Sequence, residues 1–271
     1  MTNKDLISQY VDTGIGIPRY QFDKLSSNDK KTYLRKIEMS LERLPDNVRF
    51  YYGELPEEAQ LKMVKKDGSW IRNIKNPTEA VKLYVAKNYT DSLTLIDNPS
   101  EQVQLAAVNR YQGAIRDILN KGILPSERVQ YEAVSKDGYV ITYIKNPSEA
   151  VQLAAVNKDG TAIEYINNPS EKVQLAAINK SKNAIQYINN PSEQVQLAAV
   201  NQYVGVIEYI NNPSEQVQLA AVNQYSSSIR YIKNPSEQVQ LAAVNKTVFA
   251  IEFINNPTER VIALHNQLYG K

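Results

Sequence analysis

Few side chains in this sequence could do catalytic chemistry, and most of those are spaced for turns. There is one histidine, His265, and no cysteine. No P-loop, GxSxG or HExxH string occurs. The Asp-Gly pairs at Asp137-Gly138 and Asp159-Gly160 suit tight turns rather than metal-binding loops. Glu57-Glu58 reads as a solvated helix start, and His265 as a filler of the terminal unit rather than a general base. No catalytic residue, metal site or cofactor is expected, and the chain reads as a non-enzyme.

What recurs instead is aromatic. Tyrosine occurs 18 times, against four Phe and one Trp. Tyr143, Tyr165, Tyr187, Tyr209, Tyr231 and Phe253 stand 22 residues apart in one column. Two readings are open. The rings could be packing with wet hydroxyls. They could instead form a stripe that grips a partner's side chains or stacks on bases. The slot just before each ring varies in charge: Thr142, Glu164, Gln186, Glu208, Arg230, Glu252. Such variation would give register to an otherwise repetitive stripe. The expected partner-binding residues are therefore the six aromatics together with Glu164, Gln186, Glu208 and Arg230. In the earlier units the ring slot holds Asn73, Leu95 and Asp117. A further set, Tyr89, Tyr111, Tyr203 and Tyr225, falls in turns and is expected to be exposed.

The elements that must position this column follow from the repeat. Prolines stand at 125, 147, 169, 191, 213, 235 and 257, each step being 22 residues, with earlier members at Pro56, Pro77 and Pro99. Each unit opens with Asn-Pro-Ser-Glu or a close variant. Asn is a good N-cap, Pro suits the first helical position, and the Glu can close a capping box. The following helix carries Val195, Leu197, Ala198, Ala199 and Val200, apolar around most of its circumference, which implies cover on more than one side. A polar turn follows, where Asp-Gly would accept positive φ. The second segment, Gly205 to Ile210, places Val206, Ile207 and Ile210 on one face. Its residues also suit a strand, but this spacing favours an α or 3-10 helix. So short a segment cannot stand alone, and stacking must bury it. The expected fold is an all-α solenoid of 22-residue two-helix repeats.

The units are uneven. Residues 1–55 do not fit the repeat. Asp29 to Leu44 has helical spacing, with Tyr33, Leu34, Ile37 and Leu41 on one face, Ser27 or Asn28 as cap, and Pro18, Pro45 and Pro56 as punctuation. This part reads as an N-terminal cap over the open end of the stack, or else as a separate binding element. Residues 56–271 read as the solenoid: degenerate units over 56–124, regular units over 125–256 and a terminal unit over 257–271. The Pro56 unit is one residue short and carries Trp70, the Pro77 unit has Tyr84 in an Ala slot, and the Pro99 unit runs 26 residues, four more than the repeat, through an insertion within 119–124. The column Asn109, Asn157, Asn179, Asn201, Asn223 and Asn245 reads as a hydrogen-bond ladder at helix C-termini. The column Gln130, Gln152, Gln174, Gln196, Gln218 and Gln240 reads as partly buried amides bonded between units.

Composition narrows the partner. Lys+Arg is 31 and Asp+Glu is 29, a net charge of +2. Dedicated nucleic-acid binders carry a stronger basic excess. A protein partner is therefore favoured over nucleic acid, which would have to use Lys145, Arg230 and Lys233 beside the rings. The absence of cysteine and of an apolar core in MTNKDLISQYVD suggests a reducing cytoplasm, and no apolar run approaches a membrane span.

The string NPSEQVQLAAVN resembles the helical repeats that include HEAT repeats and the leucine-rich-repeat variant, over about 56–271. LAAVNKDGTAIEYI, Leu153 to Ile166, is similar to an uncharacterised bacterial and viral repeat family. The resemblance implies alternating long and short helices in an interaction scaffold, and the near-identity of the units suggests a recent duplication of the kind found in phage proteins. One HEAT-like branch comprises DNA glycosylases with a basic groove, a Trp and an Asp. Trp70 and Asp67 are present here without a basic excess, so those roles are not carried over.

Overall fold

The structure, a computed structural model, describes residues 2–12, 17, 19–43 and 55–270. The chain is all-α: helices pack on their sequence neighbours, as in an α-solenoid of repeats, and no strand occurs among the described residues. Two compact units divide it, Met1–Ala133 and Val134–Lys271.

In the first unit, helix Asn3–Asp12 packs on helix Ser27–Arg43, which packs on Glu57–Lys66, the first long helix of the repeats. Tyr33 is fully buried; its hydroxyl accepts from the Ile17 N–H at 3.0 Å and its ring meets Phe22 at 5.6 Å. Ile37 is buried and Leu34 half-buried. The cap is Ser26, not Ser27 or Asn28, because its Oγ is the acceptor that reaches the Asp29 N–H. Pro18, Leu44, Pro45 and the side chain of Leu41 lie outside the described residues.

The Pro56 unit is not short. Gln60 donates to the Leu55 carbonyl as each later Gln donates to its proline carbonyl, so Leu55 holds the proline slot and Pro56 the serine slot. In the Pro99 unit the four extra residues turn the short segment into an α-helix, Ala114–Asn120. It ends in a Schellman turn, with Gly122 at φ +73°, the Ile123 N–H on the Ile118 carbonyl and the Gly122 N–H on the Leu119 carbonyl.

The second unit shows the repeat cleanly. In residues 191–212 the long helix is Glu193–Gln202 and the short one, Val204–Tyr209, is a 3-10 helix. The long helix starts two residues later than the Asn-Pro pair suggests. Ser192 is the N-cap, its Oγ accepting from the Val195 N–H at 3.3 Å. Asn190 sits at φ +50°, which asparagine tolerates, so Asn-Pro is the turn ahead of the cap. Glu193 is the first helical residue, too close to close a capping box. Its carboxylate instead accepts from the hydroxyl of Ser214, the next unit's cap. Ser100, Ser126, Ser170 and Ser236 reach back to Glu79, Glu101, Glu149 and Glu215 in the same way.

Val195, Ala199 and Val200 are buried, whereas Leu197 and Ala198 are half-buried. Two neighbouring helices and the short segments of its own and the preceding unit cover one side of the helix and leave the Leu-Ala side partly open. Gly138 and Gly160 do not adopt positive φ. A Cβ on Gly160 would stand 2.5 Å from the Ala177 carbonyl of the next helix, and one on Gly138 2.6 Å from that of Ala155. The glycines permit close approach, and the Asp before each caps the 3-10 helix, as Asp159 Oδ1 accepts from the Thr161 N–H at 2.9 Å.

Two columns behave differently from expectation. The Asn column is exposed throughout, yet the next unit bonds to part of it: Gln202 donates to the Asn179 carbonyl at 3.2 Å, Gln224 to Asn201 Oδ1 at 3.1 Å and Lys246 to the Asn223 carbonyl, while backbone N–H groups such as that of Tyr203 close the helix ends. Each Gln from 130 to 240 donates from Nε2 to its own unit's proline carbonyl at 2.8–3.0 Å, satisfying an acceptor that no helix turn reaches. The amide links units only where Gln60 and Gln240 accept from the Thr78 and Thr258 N–H groups.

Candidate functional site

The short segments position the aromatic column. A 3-10 helix has three residues per turn, so side chains three apart eclipse. In Val204–Tyr209 this stacks Ile210, the C-cap, on Ile207, both buried, and places Tyr209 over Val206 at the edge of that face. Glu208 then points outward. Successive 3-10 segments of the second unit pack side by side, from Gly138–Tyr143 to Val248–Phe253. Rings and polar residues therefore form two adjacent rows.

The rings stand well out of the core. Tyr143, Tyr165, Tyr187, Tyr209 and Tyr231 are 39–47% exposed, while Phe253 is half-buried. Glu164, Gln186, Glu208 and Arg230 are exposed beside them. Negative charge from Glu164 pushes the Tyr165 phenol above its ordinary pKa. A hydrogen bond to Glu208, then its charge, does the same for Tyr209. Cations meet rings directly: the Arg230 guanidinium lies 4.2 Å from the Phe253 ring centre and 6.0 Å from that of Tyr231. Lys182 lies 4.0 Å above Tyr203.

The turn aromatics divide. Tyr111, Tyr203 and Tyr225 are exposed as expected. Tyr89 is half-buried, because its ring fills the space over Gly68 and its hydroxyl donates to the Val64 carbonyl at 3.0 Å. Tyr139, which the column reasoning missed, meets Tyr165 edge-on at 6.0 Å and shares a 2.8 Å hydrogen bond with Thr161. Its signal in the sequence was only that it follows a glycine whose close approach brings neighbouring units together.

Clefts open between adjacent short segments. One of about 550 Å³ lies among Tyr143, Lys145, Pro147, Gln152 and Tyr165, and one of about 140 Å³ among Lys233, Pro235, Gln240 and Phe253. In the first unit, Arg72, Lys75, Lys82 and Asp97 line one of about 310 Å³.

The residues weighed for chemistry are dispersed. His265 is half-buried beside Tyr269 at 5.7 Å, with Nδ1 buried and unpartnered. Asp67 accepts from the Ser69 N–H at 2.8 Å, the same capping role as Asp137 and Asp159, and Trp70 is half-buried in a Val slot. Glu57 and Glu58 are exposed in the first turn of their helix. Among the described residues, no group of three or more His, Asp or Glu could hold a metal ion, and no helix is long and apolar enough to cross a membrane. Comparison with protein-family models, curated proteins and solved structures finds no match.

Proposed function

We propose that this chain is a non-enzymatic scaffold that binds a protein partner along the face displaying its short helices. The row of half-exposed tyrosines from Tyr143 to Tyr231 carries this reading. The rings are fixed at one end by a packed 3-10 segment and open at the other. Rigid, amphipathic rings contribute contact area with little ordering cost, and tyrosine is a frequent hot-spot residue. The charges beside them give the row direction. A second reading, nucleic-acid binding, draws support from Lys145 and Lys233 lining clefts next to Tyr143 and Phe253. It requires retention that falls steeply with salt.

The test pairs capture from the native host with the double variant Tyr187→Ala, Tyr209→Ala. The expected outcome is a partner bound stoichiometrically by the wild type and lost by the variant, at a cost of about 2 kcal/mol or more. The helical signal should persist. A variant that melts far earlier, yet binds normally while folded, would show that the rings are packing.

A further inference from the structure

Arg230 shows what the polar row does to the ring row when it holds a cation. Its guanidinium leans onto Phe253, the ring of the following unit, and keeps Tyr231 within 6.0 Å. Phe253 lies one unit and one residue beyond Arg230. The same 23-residue step leads from Glu164 to Tyr187 and from Glu208 to Tyr231, so each carboxylate has the register of Arg230 between its own unit's ring and the next. There the chain places a carboxylate where Arg230 places a cation. The faces of those tyrosines are electron-rich, and the carboxylates beside Tyr165 and Tyr209 deepen the negative potential there, as the raised phenol pKa values of these two register. An exposed acid between two half-exposed rings is complementary to a guanidinium or ammonium group: the ring faces take its flat side and the carboxylate its N–H groups.

We infer that the stripe takes a basic segment of its protein partner, with arginine or lysine side chains seated between Tyr165 and Tyr187 against Glu164, and between Tyr209 and Tyr231 against Glu208. The inference rests on the scaffold reading and specifies its partner's chemistry. The two seats are two repeat steps apart. At about 8–10 Å per helix layer they lie on the order of 20 Å apart. An extended chain covers that in about six residues. Arg230 stands beside the second seat and offsets part of its negative charge, so the Glu164 seat is the stronger.

A random peptide library selected on the full chain tests this. The expected result is enrichment of peptides with Arg or Lys about six residues apart. Their affinity should fall about tenfold with Glu164→Gln and less with Glu208→Gln, as a charge-assisted cation–ring contact requires. Both substitutions are exposed and isosteric, and an unchanged circular dichroism spectrum verifies the fold. Enriched peptides without basic excess that still need Tyr187 and Tyr209 would overturn the inference and leave the scaffold reading standing. Basic peptides indifferent to Glu164→Gln would overturn it too, since charge would not be the determinant. Peptides that bind Tyr187→Ala, Tyr209→Ala as well as the wild type, together with unchanged capture of the native partner by that variant, would remove both.

Discussion

Tyr209 and Glu208 show how one position serves fold and surface together. The backbone of Tyr209 closes a 3-10 helix, and its hydroxyl is tied to the carboxylate beside it. Replacing Glu208 with Gln removes the charge and weakens the hydrogen bond, so the phenol pKa should fall toward its ordinary value. Ultraviolet titration of the variant reads this directly, and an unchanged titration would refute the contact. The sign for stability follows. A raised phenol pKa contributes stability that is intact below the ordinary value and is lost as pH rises through the raised one. The glycines give a second prediction at this scale. Gly160→Ala pushes a methyl against the Ala177 carbonyl, backbone that cannot step aside. It should cost about 1–3 kcal/mol, as overpacking does. At Gly122 nothing lies within 4 Å and the obstacle is φ +73° alone, so Gly122→Ala should cost about 1–2 kcal/mol. Thermal melts of the two variants check both.

At the scale of the element, the cap serine does two jobs. Ser170 caps its own helix at Val173 and donates to Glu149 of the preceding unit at 2.6 Å. Ser170→Ala should cost about 0.5–2 kcal/mol through the cap alone. It should also let the Glu149 carboxyl rise toward its ordinary pKa, because the Ser170 hydrogen bond is the main cause of its depression and Lys172 the next. A depressed carboxyl contributes stability that is present above the ordinary carboxylate pKa and lost as pH falls through the depressed one. The stability difference between wild type and variant should therefore narrow in acid. Denaturant unfolding at neutral and acid pH measures it; a pH-independent difference would mean that the bond to Glu149 is not made in solution.

At the scale of the whole molecule, the repeats within each compact unit pack on their sequence neighbours. Stability in such an array is close to a sum of unit and nearest-neighbour terms. Deleting residues 191–212 joins Asn190 to Pro213 in register, so that helix Glu215–Gln224 takes the place of Glu193–Gln202 against Glu171–Lys180. The shortened chain should fold with the same ellipticity per residue and a modestly lower unfolding midpoint. Deleting only 191–201 leaves a short helix without its long partner, and cooperative unfolding should be lost. Circular dichroism of both deletions decides, and equal damage from the two would contradict the repeat-wise account.

The fold was legible in the sequence because its determinants are local and repeated. A proline-marked step of 22 residues, an apolar helix too short to stand alone and a still shorter second segment leave stacking as the only way to bury Val195, Ala199 and Ile207. The tyrosine column could be read the same way, since periodicity places its members on one face. What periodicity could not supply was distance to the neighbour. Whether Tyr209 is packing or surface depends on how near the adjacent short helix comes. So does the reason for Gly160, which is a carbonyl one unit away rather than its own φ. The choice of Ser192 over Asn190 as cap, and of Glu193 as an inter-unit acceptor rather than half of a capping box, likewise turns on contacts across units. Sequence spacing reports which side of a helix a residue occupies, and only tertiary packing decides what stands opposite it.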